Sequence, residues 1–299
     1  MKTKKKPPWL KIHPYTNKEY LLLKEMVSDD HLHTVCQEAR CPNIYECWGL
    51  HRTATFMILG DVCTRRCRFC AIKTGLPHMV DTREPERVAE SIHKLELKHA
   101  VITMVDRDDL PDTGASVVIQ TVKAIRRKNP QCSIELLTGD FMGIEKWIRM
   151  VVESQPDIMS HNIETVRRLT PQVRSRSDYD RSLNVLSYSR KVNTTVIIKS
   201  SIMLGLGESK EEVLATMDDL LAHEVQVLNI GQYLQPTAHQ IPVQKYWHPD
   251  EFLEMKEIAY SKGFVYCESG TLIRSSYHAG MDYEALRKKI HPLYKNRKS

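Results

Sequence analysis

From residue 54 onward the chain alternates short apolar runs with amphipathic stretches, and this alternation restricts the fold more than any other feature. Strand-like runs fall at 54–59, 100–105, 133–137, 157–160, 195–203 and 225–230. Helix-like stretches lie among them near 84–96, 114–128, 143–154, 179–191 and 209–223. In the first of these Val88, Ala89, Ile92 and Leu95 recur at helical spacing; in the third Ile144, Trp147, Ile148, Val151 and Val152 do the same. Ser209 followed by Glu212 predicts a capping box that opens the fifth helix. A helix near 249–262 and a strand near 264–268 follow. Repeated βα units of this length build a parallel sheet covered by helices. Six units are too few for a closed eight-stranded barrel. The expected fold is therefore α/β, a partial (open) parallel βα barrel of about six βα units, with a doubly wound open sheet as the rival. The expected organisation is an N-terminal extension over 1–53 with a helix near 17–27, the barrel over 54–248, and a C-terminal extension over 249–299.

In such folds chemistry sits at the C-terminal ends of the strands. Polar motifs fall there: Asp61-Val-Cys63 after the first strand, Asp106-Arg-Asp-Asp109 after the second, His161-Asn162 after the fourth and Gln232-Tyr233 after the sixth.

The 299 residues carry no apolar run long enough to span a bilayer, and the basic N-terminus has no apolar stretch behind it. A cytoplasmic, reducing location is expected. The net charge of +6 is uneven: residues 1–11 hold five lysines and 287–299 six bases, with no acid in either stretch, so the body between is slightly acidic. The basic ends read as solvated tails or as a steering charge for an acidic partner. No basic stripe with interleaved aromatics runs through the body, so nucleic acid is not an expected partner, and neither is a membrane.

Six of the eight cysteines lie between 36 and 70, which in a reducing compartment favours metal binding over disulfides. Cys63-x3-Cys67-x2-Cys70 occupies the loop after the first strand. Three thiolates are soft ligands suited to iron in a sulfide cluster, whereas structural zinc takes four ligands in a closed tetrahedron. A four-iron cluster held by three cysteines keeps one iron open to a substrate. This spacing, in this position, resembles the radical S-adenosylmethionine superfamily. The resemblance implies that the open iron chelates S-adenosylmethionine and that one electron splits the sulfonium to give a 5′-deoxyadenosyl radical. Phe69, between Cys67 and Cys70, fits the aromatic often found there; shielding the cluster from water is its plainer role.

The second triplet, Cys36-x4-Cys41-x5-Cys47, precedes the barrel and argues for a second metal centre, with a zinc staple as the alternative. The order and spacing of both triplets closely resemble lipoyl synthase. So do Val105-Asp-Arg-Asp-Asp-Leu110, His161-Asn-Ile-Glu-Thr165, Met203-Leu-Gly-Leu-Gly-Glu208, Gly231-Gln-Tyr-Leu-Gln-Pro236 and Arg274-Ser-Ser-Tyr-His278, from about residue 32 to 280. The resemblance implies a sulfurtransferase that inserts two sulfur atoms, at C6 and C8, into an octanoyl chain on a lysine of a carrier protein or domain. It implies two 4Fe-4S clusters, with the auxiliary one the sulfur donor, and S-adenosyl-L-methionine as cosubstrate. An electron donor such as ferredoxin or flavodoxin is a further implied partner. It also implies that Ser276 is the fourth ligand of the auxiliary cluster. Oxygen is a poorer match for cluster iron than thiolate, and a weaker ligand would ease release of sulfide.

Cofactor contacts are expected at Thr103, Asp106, Asn162, Glu164, Lys199, Gln232 and Tyr233. Asn162 and Glu164 also read as a turn, and Gly205-x-Gly207-Glu208 as a plain strand-to-helix turn. Lys199 falls on a strand inside the barrel, where a buried ammonium needs a partner. Arg274 is a candidate for a carboxylate or the auxiliary site. Cys132 reads as structural, and Cys267, on the last strand, is a minor candidate. Met104, Ser160 and Thr271 depart from the family pattern, where serine, asparagine and proline are usual. The rival enzyme reading is another sulfur-inserting member, similar to biotin synthase or to tRNA methylthiolating proteins, which lack this pair of triplets with Arg-Ser-Ser-Tyr. The rival of another class is a scaffold with zinc in both sites.

Overall fold

The computed structural model describes residues 5–12, 16–29, 32–50, 54–277, 283, 286 and 288–290. Lys2, Lys4, Arg287, Lys295, Arg297 and Lys298 of the basic ends, and His278, lie outside the described residues.

Seven parallel strands follow one another around the sheet in chain order: β1 (Thr55–Ile58), β2 (His99–Met104), β3 (Ser133–Leu137), β4 (Ile158–Ser160), β5 (Ile197–Leu204), β6 (Val227–Gln232) and β7 (Tyr266–Gly270). One principal helix lies in each crossover: α1 (Glu84–Lys94), α2 (Ala115–Lys128), α3 (Glu145–Glu153), α4 (Tyr179–Val192), α5 (Lys210–Ala222) and α6 (Pro249–Lys262). Among the described residues β7 does not pair with β1, so the barrel is open; His33–Thr34 adds a short antiparallel edge to β1. The helix and strand expected near 249–268 continue this same sheet.

The helices form where apolar residues recur on one face. Val88, Ala89 and Ile92 of α1 and Ile148, Val151 and Val152 of α3 are buried, each Val or Ile side chain contributing about 1.5–3 kcal/mol when fully covered. Ile144, expected on that face, instead precedes α3 and is exposed. The capping box on α5 is present: Ser209 Oγ accepts from Glu212 N–H, and the Glu212 carboxylate accepts from Ser209 N–H at 2.9 Å.

β1 ends because Leu59 and Gly60 turn into positive φ (71° and 87°). The buried carboxylate of Glu84, at the start of α1, accepts from both of their N–H groups, at 2.7 and 3.3 Å. The turn fixes the direction in which the cysteine loop leaves the sheet. At the opposite end of the barrel, Ile158, Ile197 and Val227 pack with Leu286 and Ile290 as a separate apolar cluster.

Candidate active site

The loop after β1 folds back on itself: Val62–Cys63 pairs in parallel with Lys73–Thr74, and Cys70 N–H donates to the Cys67 carbonyl. Cys63, Cys67 and Cys70 all line one large cavity at the C-terminal ends of the strands. No disulfide joins any of the eight cysteines. Burial pushes the Cys67 thiol up to about 12, against the pull of Arg174, and the Cys70 thiol up to about 11; Cys63 is raised in the same direction. Such thiols ionise when a metal supplies the positive charge. Among the described residues no three His, Cys, Asp or Glu side chains are placed to hold a single ion. The thiols border open space instead, which suits a multi-iron cluster better than a zinc bound at about 2.3 Å from each sulfur.

The cavity wall carries charge that spacing alone did not reveal. Arg65, inside the cysteine loop, is buried and bonds Asp140 at 2.6 Å and Asp108 at 2.9 Å, with Asp106 at 3.7 Å. Burial, with Asp140 and Asp108 adding to it, pushes the Asp106 carboxyl up to about 6 against the pull of Arg65. Arg174 follows the short helix Thr170–Val173 and donates to the Ile163 carbonyl and to Ser182 Oγ. Arg65 occupies an unassigned position within the Cys63-x3-Cys67 motif, and Arg174 belongs to no motif recognised in the sequence; the signal for a buried cation was the crowd of Asp residues after β2.

Several polar atoms in this wall lack a protein partner. His161 Nδ1–H donates to the Thr138 carbonyl at 2.8 Å, and burial, helped by Arg174, pulls its pKa down to about 4. The ring is thus neutral with Nε2 as a bare acceptor, and that atom has no partner; nor do Asn162 Oδ1 and Thr138 Oγ1. Asn162 donates its amide to Glu164 at 3.1 Å. Glu164 holds φ at 65°, a strained value for a non-glycine residue, locked by backbone bonds to Ser201 and Met203 of β5. Orphaned buried acceptors between two guanidinium groups and two carboxyls fit a ligand with an ammonium, a carboxylate and ribose hydroxyls, which is what S-adenosylmethionine presents.

Thr103, Asp106, Asn162, Glu164, Gln232 and Tyr233 are all brought to this cavity. The polar ends of the last two are committed elsewhere. The Gln232 amide donates to the carbonyls of Leu204, Tyr233 and Lys245, and its oxygen accepts from Trp247 N–H. Tyr233 Oη–H donates to the Ile241 carbonyl. Lys199 differs from expectation. Its ammonium bonds Glu135 and does not line the cavity, because a buried cation is stable only beside its counter-ion. Met104 lines the cavity; Ser160 is buried on β4 with Oγ unpartnered, and Thr271 follows β7. Cys132 is buried just before β3, and Cys267 on β7 lines neither cysteine cavity.

The second triplet sits on two short helices that the sequence did not disclose, Val35–Glu38 and Ile44–Gly49, and on the turn between them. Cys36, Cys41 and Cys47 line a second, smaller cavity, and Ser276 stands in its wall. Three bonds dock the Arg274-Ser-Ser-Tyr277 segment there: Asn43 Nδ2 to the Leu272 carbonyl (2.6 Å), Thr55 Oγ1 to Ser276 Oγ (2.9 Å) and Tyr277 Oη to the Glu46 carboxylate (2.8 Å). Any side chain at Gly231 would strike the Ile273 carbonyl, so glycine lets this segment approach β6. Burial raises the Cys36 thiol to about 11 and raises Cys41 as well. Arg274 lines both cavities.

An open βα barrel with three cysteines in the loop after β1 defines a radical S-adenosylmethionine enzyme, and residues 57–220 match the family model of the Radical SAM superfamily. Solved structures agree on the fold alone. HydG, a maturase of the FeFe-hydrogenase, superposes with a TM-score of 0.54 at 13% identity, over 81% of this chain and 54% of that one. Methylornithine synthase (PylB) superposes with a TM-score of 0.52 at 12% identity, over 77% and 64%. Sequence relatives are far closer. The chain is 59% identical over 275 residues to lipoyl synthase of Halalkalibacterium halodurans, covering 92% of this chain and 91% of that protein. It is 57% identical over 285 residues to lipoyl synthase of Bacillus subtilis, covering 95% and 96%. The chain belongs to the lipoyl synthase family: it is a radical S-adenosylmethionine sulfurtransferase, with that cosubstrate and 4Fe-4S clusters as its cofactors.

Proposed function

We propose that the two cysteine-lined cavities are the two halves of one sulfur-insertion site, acting at C6 and C8 of an octanoyl chain on a lysine of a carrier protein. The observation that carries this reading is Arg274, which forms wall for both cavities at once. A carbon radical made in one cavity then lies beside sulfur held in the other.

In this reading Cys63, Cys67 and Cys70 hold the cluster that cleaves S-adenosylmethionine, and Cys36, Cys41, Cys47 and Ser276 hold the one that gives up sulfur. When bound, these groups supply one-electron cleavage, hydrogen-atom abstraction and sulfide. The chain's residues bind and orient. Arg174 attracts the cosubstrate carboxylate, while Arg65 holds Asp106, Asp108 and Asp140 in the wall; Asp106 and Glu164 attract the cosubstrate ammonium; His161 Nε2 and Asn162 Oδ1 accept from its hydroxyls. Met57, Leu137, Met203 and Ile273 supply apolar wall for the acyl chain and exclude water. Residues 1–53, 54–248 and 249–299 are functional parts that bring, in turn, the auxiliary cysteines, the radical site and Ser276.

The electron donor is an acidic one-electron carrier such as ferredoxin or flavodoxin. Arg66 and Arg68 are exposed on the cluster loop and suit such a surface. The enzyme works in a reducing cytoplasm, which keeps clusters and thiols reduced. No helix among the described residues is long and apolar enough to cross a membrane. The test is an anaerobic assay with reductant, S-adenosylmethionine and an octanoyl-lysyl peptide. Mass spectrometry should show a gain of two sulfurs and, after ring closure, a loss of two hydrogens. Cosubstrate cleavage without any sulfur gain contradicts the reading.

A further inference from the structure

The first two strands carry both cavities on one face. Thr55 of β1 and Val101 of β2 are register partners, and both line the auxiliary cavity. Two residues further along, Met57 and Thr103 are partners in turn, and both line the large cavity. Residues two apart on a strand share a face and stand about 7 Å apart. The sheet thus sets the spacing of the two sites, and whatever ties Ser276 to the sheet ties it to that spacing.

Two buried side chains make the tie. Asn229 of β6 is buried, and its Nδ2 donates to the carbonyls of Arg274 and Ser275 at 2.9 and 3.2 Å, the two residues directly ahead of Ser276. Thr55, also buried, donates its hydroxyl to Ser276 Oγ at 2.9 Å. One side chain fixes the backbone and the other the oxygen. The bonds from Asn43 to the Leu272 carbonyl and from Tyr277 to Glu46 run instead to the cysteine-bearing helix of the extension and its cap. Thr55 acts on a cysteine as well: its N–H favours the Cys36 thiolate, against the burial that raises that thiol.

The strand itself gains nothing from Asn229. Asparagine is a poor strand former, and a buried amide is stable only with its hydrogen bonds made. What the amide secures is the segment that carries Ser276. Oxygen is a poorer match for cluster iron than thiolate, so an oxygen ligand depends on being held in place by its surroundings. We propose that Asn229 and Thr55 are the positioning residues of Ser276 and together hold its oxygen at the auxiliary iron. This rests on the reading of Ser276 as the fourth ligand.

The test follows iron loss from the anaerobic, cluster-loaded protein to a ferrous chelator, without cosubstrate or reductant. Thr55→Val keeps the shape of the side chain and loses the hydroxyl; Asn229→Leu keeps the bulk and loses both donors. In each, about four irons should leave about tenfold faster than from the unaltered protein, and the other four or so at the unaltered rate. Thr55→Ser, which keeps the hydroxyl, should match the unaltered protein. In the Ser276→Cys protein, adding Thr55→Val should change the rate by less than about twofold, because a thiolate holds iron without this support. Uptake of only about four irons by Thr55→Val or Asn229→Leu supports the proposal as fast loss does, provided Thr55→Ser takes up about eight. An unaltered rate in Thr55→Val or in Asn229→Leu overturns the assignment for that residue. Equal acceleration in the Ser276→Cys protein overturns it too, because Thr55 would then support the strand and not the ligand. If Ser276→Ala itself keeps its iron as the unaltered protein does, the ligand reading beneath the proposal fails instead.

Discussion

Thr55 on β1 donates its hydroxyl hydrogen to Ser276 Oγ at 2.9 Å, across 221 residues of chain and across the open seam between β1 and β7. The bond holds the serine oxygen in the wall of the cavity that Cys36, Cys41 and Cys47 line. The C-terminal segment is thereby part of the auxiliary site.

Replacing Ser276 with Ala removes that acceptor and the proposed fourth ligand. The lost hydrogen bond costs about 1 kcal/mol of stability, while the radical site is untouched. Iron should fall from about eight to about four per chain. Formation of 5′-deoxyadenosine should persist while sulfur insertion stops. Ser276→Cys should keep the iron and still make little product, because a thiolate holds cluster iron more firmly. Full sulfur insertion by the alanine variant would refute the ligand assignment.

Cys67→Ala should show the opposite pattern. The large cavity loses a ligand, the auxiliary cavity loses none, and reductive cleavage of S-adenosylmethionine should become undetectable while about four irons remain. Normal cleavage by this variant would show that the triplet does not hold the radical cluster.

The barrel was legible because its signals are local. The periodicity of Val88, Ala89 and Ile92, the Ser209–Glu212 capping pair and the apolar run at β1 each lie within a few residues. The cysteine spacings are local too. Pairings made across the fold were not legible. Nothing near Lys199 names Glu135 as its partner, and nothing near Cys67 points to Arg174. Gln232 and Tyr233 carry groups fit for adenine, yet the loop from 241 to 247 takes their hydrogen bonds. That loop's approach is a tertiary event without a sequence period. The short helices carrying Cys36 and Cys47 were missed because each is too brief to show one.

His161 gives a pH signature. Its pKa is about 4 in the fold and about 6.5 when unfolded. The depressed value means the folded state prefers the neutral ring, so this stability is fully present above about 6.5 and is lost as pH falls toward 4. Between pH 7 and pH 5 the loss attributable to this residue is about 2 kcal/mol. Chemical denaturation at the two pH values should show it, and His161→Asn should remove that increment. Identical pH dependence in the variant would mean that His161 does not titrate in this window.

Arg66→Glu/Arg68→Glu tests the donor surface. With reduced flavodoxin or ferredoxin at low salt, 5′-deoxyadenosine formation should slow about tenfold, and added salt should shrink the difference. With dithionite the variant and the unaltered protein should match. Equal slowing with both reductants would place the defect in the cluster loop itself.

The central claim is that sulfur held by Cys36, Cys41, Cys47 and Ser276 becomes the sulfur of the product. Clusters rebuilt with isotopically heavy sulfide, followed by one turnover on an octanoyl-lysyl peptide without added sulfide, test it most directly. Mass spectrometry should find both sulfur atoms of the product heavy. A product with two sulfurs of natural isotopic composition would contradict the account.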